Sequence, residues 1–533
     1  MELSRIEISN YRSFDTVSID VDGSSVFLIS ENGGGKTTVL NAIAQAIRGE
    51  PQVALADFRD PHKPLELVAT LRGFSAADQA TFPDVMSFGG VPSLRIGYRA
   101  EWDAGERSVT ATHGYPDKGW PRASREQREA LPLLALPAIR DAGRLLGVVG
   151  TRSLLARAIA GLSLEAELQQ ARDAIALAAE NLAAATPLQT LLAALTALLE
   201  ELVPGVAADA LALGADERQP QSLLREFDLL FSHNDLQTLA PSQSSGLAQL
   251  LIHAIALYLL ERNPGSIFLL DEPEVSLHPQ AQRALIQAVQ ARATQAVIAT
   301  HSGSILNRVD PRRLVRLRRS GTTVSIARPS LITDSEAIRL ARFATSEVTE
   351  AYFARKAILV EGTSDRIALL ALAQRLGRRI DAAGVSIVCL DGGGTLATFL
   401  GILGPTGLEL DVLGLCDEDQ EGKWLKTLAA AGFPVADRTS METYGFYVCT
   451  PDLEGELVTA LGAAATEALI DTHGEKPGYE RFAQQPSNRG KTASELLAAF
   501  ARTNKVFWAP IFVDALDLNQ RRPRPLFELI RYV

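Results

Sequence analysis

Cysteine is scarce in this 533-residue chain, with only Cys389, Cys416 and Cys449 present. Each ends or sits within an apolar run of strand character. That argues against a disulfide framework and for reduced thiols. Long apolar runs are missing too. The longest, L-A-Q-L-L-I-H-A-I-A-L-Y-L-L at 247–260, is too short to span a bilayer and carries Gln249 and His253. The opening M-E-L-S-R-I-E-I has no signal-peptide pattern, so a cytoplasmic protein without a membrane segment is expected. Positive charge is not in excess, since the net charge is −11. A protein coated in basic surface is thereby excluded, but nucleic-acid binding is not, because phosphate contact needs only a local patch. Two patches occur, R-R-L-V-R-L-R-R at 312–319 and R-R-P-R at 521–524. Taken alone, each reads as a solvated face. Internal repeats and low-complexity tails are absent.

What is present is a chain long enough for about three or four domains, with 47% hydrophobic residues to fill their cores. Residues 1–50 read as strands, a loop and a helix, with a hairpin turn expected at Asp22-Gly23 between V-S-I-D-V and S-V-F-L-I. Residues 151–202 contain no aromatic residue and are rich in Ala and Leu. They predict long helices broken near Pro187, either an ordinary helical subdomain or a dimerisation arm. Helices and strands then alternate from 206 to 330. A helix over 335–353 leads into a β-α-β-α-β run beginning at K-A-I-L-V (356–360), which predicts a parallel sheet covered by helices.

Between a strand and a helix stands S-E-N-G-G-G-K-T-T (30–38). Gly35, Lys36 and Thr37 fit a P-loop, but the leading glycine is missing and Ser30 takes its place. Backbone N–H groups of Asn32, Gly33, Gly34, Gly35, Lys36, Thr37 and Thr38 would cradle phosphates at a helix N-terminus. Lys36 would neutralise their charge, and Thr37 would ligate Mg²⁺. Further on, I-F-L-L-D-E (267–272) is an apolar strand ending in paired carboxylates. Asp271 suits a Mg²⁺ water shell, and Glu272 the polarisation of an attacking water. A second buried strand, A-V-I-A-T-H-S (296–302), ends in His301, which is either structural or within reach of a terminal phosphate.

Together with I-S-N-Y-R-S-F at 8–14, these residues resemble the ATP-binding-cassette ATPases of the SMC/RecF-like branch. In such ATPases two heads sandwich ATP, and a signature motif caps the nucleotide in trans. S-Q-S-S-G-L-A-Q (242–249) is the candidate, through Ser245 and Gly246, with Ser244 where a glycine is usual. Ser244 and Ser245 would equally serve as helix N-caps. The two glycine-to-serine departures, at Ser30 and Ser244, predict nucleotide binding with slow turnover. Ser30 is expected to alter the geometry of the turn, not the coordination.

The second constellation is acidic. Glu361 ends the strand K-A-I-L-V, Asp365 follows in a helix opening, and V-L-G-L-C-D-E-D brings Asp417 and Asp419 to another strand end. Carboxylates at the carboxyl ends of neighbouring parallel strands converge in one crevice. Hard oxygen ligands suit Mg²⁺, and two cations there could activate water and stabilise a leaving oxygen.

A glutamate on the first strand and Asp-x-Asp on a later one resemble the TOPRIM domain. A TOPRIM domain directly after a cassette-type ATPase is similar to the layout of the OLD (overcoming lysogenization defect) family, as is T-E-A-Y-F-A-R-K-A-I-L-V-E-G-T-S-D at 349–365. The resemblance implies an α/β fold: an ABC-type ATPase head with a helical dimerisation insertion, then a Rossmann-like TOPRIM domain. Its bounds would be 1–150 for the N-terminal ATPase part, 151–205 for the insertion, 206–335 for the C-terminal ATPase part, and 350–533 for TOPRIM with a C-terminal extension. It implies an ATPase and a Mg²⁺- or Mn²⁺-dependent DNA nuclease, often dimeric. Relatives serve in phage defence, including the Gabija nuclease subunit with its helicase-like partner. The family's metal ligands fall on Glu361, Asp365, Asp417, Asp419 and Glu454. Its charge-neutralising lysine falls on Lys491, with Lys476 as the rival. An ATP-gated scaffold or sensor and a TOPRIM ribonuclease are the alternative readings.

Overall fold

The structure is a computed structural model. It describes the chain except residues 22, 24, 51, 139–140, 148–152, 191–192, 194–228, 234–235, 264, 322, 330–332, 334–345 and 391–394. The chain divides into two compact units, Met1–Ala138 with Asn263–Val533, and Ile139–Arg262.

In the first unit, five antiparallel strands lie in the order β2-β1-β4-β5-β6. They are β1 (Glu2–Tyr11), β2 (Phe14–Asp20), β4 (Leu65–Arg72), β5 (Ser93–Asp103) and β6 (Ser108–Gly114). The reversal from β1 to β2 falls within N-Y-R-S-F, where Tyr11 pairs with Phe14 and Arg12 takes φ 52°. Asn10, also at positive φ, is buried. Its Oδ1 accepts the Asp60 N–H at 2.7 Å and its Nδ2 donates to the carbonyls of Asp60 and Lys63. Asparagine tolerates that backbone region better than most residues, and its amide here satisfies a neighbouring loop.

The hairpin expected at Asp22-Gly23 does not form. β3 (Ser25–Ile29) instead joins a second sheet, of order β13-β12-β3-β11-β10-β7. The difference is visible in burial. β2 alternates between buried and exposed residues, whereas all of β3 is buried, as expected of a central parallel strand covered on both faces. β7 (Leu133–Leu136), β10 (Ile267–Asp271), β11 (Gln295–Ala299) and β12 (Leu314–Ser320) run parallel with it, and β13 (Thr323–Ala327) pairs antiparallel with β12.

A third sheet holds β14 (Lys356–Val360), β15 (Val385–Cys389), β16 (Asp411–Asp417) and β17 (Phe446–Cys449), all parallel, in the order β15-β14-β16-β17. The chain leaves β14 toward one edge and returns on the other side as β16. The carboxyl ends of β14 and β16 therefore flank a topological switch point, where open α/β sheets form their crevice.

The basic run 312–319 is a solvated face only in part: Arg312, Arg318 and Arg319 are exposed. It is mostly β12, and Arg316 within it is buried. Arg316 donates to the Leu408 carbonyl at 2.9 Å and the Ala354 carbonyl at 2.7 Å, fastening the second sheet to the third-sheet domain. Arg318 lies 3.8 Å from both Glu409 and Asp411. Of the helix expected over 335–353, Ser346–Ala351 is helical and 334–345 lie outside the described residues.

The second unit contains helices Leu154–Ala160, Glu165–Ala183 and Ser245–Arg262, and a hairpin of β8 (Leu230–His233) and β9 (Leu236–Leu239). The helix break expected near Pro187 falls at residues 184–185. The rest of that expected helical stretch, 191–202, lies outside the described residues apart from 193. Among the described residues no helix is long and apolar enough to cross a membrane. None of the three cysteines forms a disulfide among the described residues.

Candidate nucleotide and carboxylate centres

The P-loop leaves the carboxyl end of β3, and β11 and β10 lie beside it in that order. Ser30, His301 and Asp271 therefore gather at the same end of three adjacent strands. The helix Lys36–Arg48 begins at Lys36 as expected. Gly35 holds φ 99°, and a side chain there would strike the Phe14 ring, so the N-Y-R-S-F turn abuts the loop. Asn32, Gly33 and Thr37 are exposed on its rim, and Thr38 is half-buried.

Lys36 is buried, with Nζ 2.5 Å from His301 Nε2 and 3.1 Å from Ser30 Oγ. Burial pushes its pKa down to about 8, against the pull of Glu272, Glu274 and Asp271. Burial, and then the Lys36 charge, pushes His301 down as well, which favours a neutral ring accepting from Lys36. The expectation that Ser30 affects geometry alone is corrected: its hydroxyl accepts from Lys36 and donates to the Glu31 carbonyl at 2.7 Å.

Asp271 is buried at the end of β10, and Glu272 follows at φ 42°. Strain of this kind in a non-glycine residue persists only where its surroundings enforce it. Here the Glu272 N–H donates to the Ala299 carbonyl at 2.8 Å. Glu274, unassigned from the sequence, holds the end of β11. Its carboxylate accepts from the His301 N–H at 2.6 Å and from Thr300 Oγ1 at 2.9 Å. Only its place in D-E-P-E could have drawn attention to it. In the second unit, Ser245 and Gly246 open the helix Ser245–Arg262, and the Ser244 carbonyl accepts the Ala248 N–H.

At the switch point of the third sheet, Glu361 follows β14 and Asp417 ends β16. Glu361 Oε1 accepts the Asp417 N–H at 2.9 Å. Asp365, buried in the first turn of the helix Thr363–Arg375, accepts the Gly362 N–H at 2.9 Å. Asp417 Oδ1 accepts the Leu453 N–H at 3.1 Å, which brings the start of the helix Leu453–Leu461 and the buried Glu454 to the same place. Asp419 is exposed and accepts from Gln420.

Burial raises every carboxyl of the inner group. Asp365 rises to about 7, with Glu454 and Glu361 adding repulsion. Asp417 rises to about 8, with Asp365 and Glu361 adding theirs. Glu361 and Glu454 also rise, chiefly by burial.

The lysine brought to these carboxylates is Lys505. Its Nζ lies 3.4 Å from Glu454 Oε2. Burial works against its charge, but Glu454 and Asp417 outweigh that and hold its proton more tightly. Lys491 instead donates to Asn488 Oδ1 at 2.8 Å, and Lys476 lies 3.9 Å from Asp471. Nothing in T-N-K-V-F-W ties Lys505 to Asp417 along the sequence. The packing of its helix, Lys505–Ala515, against Thr363–Arg375 and Leu453–Leu461 does.

The donor set is all hard oxygen, and neither oxygen of buried Glu454 accepts a well-formed hydrogen bond among the described residues. Both features suit a divalent cation. Yet among the described residues no three such groups are drawn close enough to hold an ion in this arrangement.

Family models match three stretches of the chain. The family described as "Overcoming lysogenization defect protein-like, TOPRIM domain" matches residues 352–419. An AAA-domain family matches 5–62, and another, described for the AbiEii toxin of a Type IV TA system, matches 163–307. The chain joins an AAA-type ATPase to an OLD-like TOPRIM domain. The OLD nuclease of Thermus scotoductus is 24% identical over 78% of this chain and 82% of its own length. Endonuclease GajA of Bacillus cereus is 26% identical over 24% of this chain and 23% of its own. The C-terminal region of the Xanthomonas campestris OLD protein is matched over 34% of this chain and 94% of that structure, at 22% identity and a TM-score of 0.29.

Proposed function

We propose that this chain is an ATP-hydrolysing, divalent-metal-dependent DNA endonuclease or nickase that acts in phage defence in the cytoplasm. The observation that carries the reading is the buried carboxylate group at the switch point of the third sheet, with Lys505 beside it. Glu361, Asp365, Asp417, Asp419 and Glu454 would hold Mg²⁺ or Mn²⁺. Cations bound there supply a water activated for attack and charge for the leaving oxygen. Lys505 places a positive charge beside the carboxylates, where negative charge accumulates on a phosphodiester. Lys491 loses that role.

ATP would sit on residues 32–38, with Asp271 serving its magnesium and Glu272 orienting the attacking water. His301, held by Glu274, would meet the terminal phosphate, and Ser245 and Gly246 of a second copy would cap it. Homodimerisation, or higher assembly, would run through the helical insertion, and a helicase-like partner fits the same role. The hydroxyl of Ser30 accepts from Lys36, which supports slow turnover. Coupling between the centres is supported by Arg355, whose Nε lies 2.9 Å from Glu31 of the P-loop at the entry to β14.

A second reading, an ATP-gated scaffold or sensor, draws on the carboxylates' not being gathered around one point. The test supplies supercoiled DNA and structured RNA together with Mg²⁺, Mn²⁺ or chelator, with and without ATP. Metal-dependent breakage of DNA is expected. Breakage of RNA alone establishes the ribonuclease reading. ATP-dependent DNA binding without breakage under any condition establishes the scaffold.

A further inference from the structure

A cavity of about 310 Å³ lies beside the carboxylate centre, lined by Lys491, Arg502, Ser494, Thr459, Gly455 and Glu495 among others. One chain of contacts ties it to the centre. Arg502 Nε bonds Asp452, Asp452 Oδ1 accepts the Gly455 N–H at 2.9 Å, and the intervening Leu453 N–H donates to Asp417. The cavity and Asp417 thus share the turn 452–455.

Its charge is set by how each ionisable group is held. Lys491 is fixed by a neutral amide, Asn488 Oδ1 at 2.8 Å. Asn488 is itself buried, with Nδ2 on the Phe482 carbonyl at 2.8 Å. The ammonium is therefore positioned by a neutral group, with Glu495 of the same lining as the acid whose charge it feels. Arg502 gives Nε to Asp452 and keeps its two terminal nitrogens for other partners. Glu495, the acid of the lining, accepts from Thr492 N–H at 2.7 Å and Thr492 Oγ1 at 2.9 Å, capping its own helix. Two cations, one acid and two hydroxyls line a recess adjoining an acidic centre, with Arg502 paired to Asp452 and Glu495 turned to its own helix cap.

A ligand that fits both regions is a chain of phosphates, with one at the carboxylates and its neighbour in the recess. We propose that this cavity binds a backbone phosphate flanking the scissile position of a nucleic-acid strand, through Lys491 and Arg502. The proposal rests on the nuclease reading and gives Lys491 a substrate-holding role in place of a catalytic one. Phosphate contacts position the strand without reading its sequence. The subsite therefore adds affinity on every sequence.

The experiment compares Lys491→Glu and Ser494→Glu with the full-length wild-type chain. Ser494 is exposed in the first turn of the helix Ala493–Ala501, where an added acid favours the helix. Its variant therefore separates phosphate repulsion from damage to the fold. Binding of a fluorescent DNA duplex of arbitrary sequence is measured in chelator across a salt series. Cleavage is then measured with Mn²⁺ as kcat and KM.

For each variant, affinity is expected to fall and KM to rise by about tenfold, with kcat within about twofold of wild type. Lys491→Glu should also lower the salt slope by about one. The melting temperature of Ser494→Glu should be unchanged or higher. Unchanged affinity and KM in both variants, with an active wild type, overturns the subsite and leaves the nuclease reading standing. A fall in kcat at constant KM in Lys491→Glu also overturns it, by returning Lys491 to catalysis. A wild type that breaks no nucleic acid overturns the nuclease reading and the subsite with it.

Discussion

At the P-loop, one buried lysine stands among acids and neutral hydrogen-bond partners. At the third sheet, buried carboxylates stand around one lysine. Each centre departs from ordinary ionisation in the direction that a bound group of opposite charge would reverse. The Lys36 ammonium is pushed down to about 8, and a phosphate beside it would raise that value again. Asp365 and Asp417 are pushed up to about 7 and 8, and a divalent cation beside them would lower those values again. The centres also differ in readiness. The P-loop groups are held by β3, β10 and β11 and already face one another. The inner carboxylates hang from two strand ends and two helices, and each is tied to a backbone N–H or to Lys505. The first centre is preformed, whereas the second has its ligands close but not yet gathered.

The sharpest way to break this comparison is to remove one cation at a time. Lys36→Ala should weaken ATP binding by about a hundredfold or more in calorimetry, since it deletes a charge-assisted phosphate contact. It should leave metal-dependent stabilisation of the TOPRIM domain intact, and loss of both would show that the centres do not fold independently. Lys505→Ala should lower kcat for cleavage by about a hundredfold with little change in KM, whereas an effect on KM alone would make Lys505 a strand-binding residue.

A smaller effect tests the carboxylate half. Asp365 and Asp417 bind protons more tightly folded than unfolded, where the ordinary value is 3.8. Their stabilising contribution is therefore complete below about pH 4 and is lost as pH rises through 7 and 8. The metal-free protein should melt several degrees lower at pH 8 than at pH 5, and Mg²⁺ or Mn²⁺ should flatten that slope. A metal-free melting temperature rising over the same range would contradict the burial argument. The smallest effect is at Ser30. Ser30→Gly frees Lys36 from a hydroxyl and should raise ATP hydrolysis by about two- to fivefold; no gain would mean the hydroxyl does not restrain turnover.

Much of this was legible in the sequence. The β-α-β-α-β run of the third sheet, and Glu361 and Asp417 at its strand ends, follow from apolar runs that stop at acids. The start of the P-loop helix at Lys36 follows from its glycines. Three features were not legible, for a common reason. β3 sits in a different sheet from β2 because its partners come from residues 295–299 and 314–316, far away in sequence. Arg316 looked like part of a surface patch because its carbonyl partners lie at Ala354 and Leu408. Lys505 is not singled out by its sequence because only helix packing brings it to Glu454. Local pattern specifies an element and its exposed end, while long-range packing decides which end meets which.

The most direct measurement is nicking of supercoiled plasmid with Mn²⁺ by the wild type and by Asp417→Ala, with melting temperatures recorded for both without metal. The account predicts nicking by the wild type and a loss of about a thousandfold or more in the variant. It also predicts that the variant melts no lower than wild type at pH 8, because a buried acid has been removed. Undiminished nicking by Asp417→Ala would contradict the account.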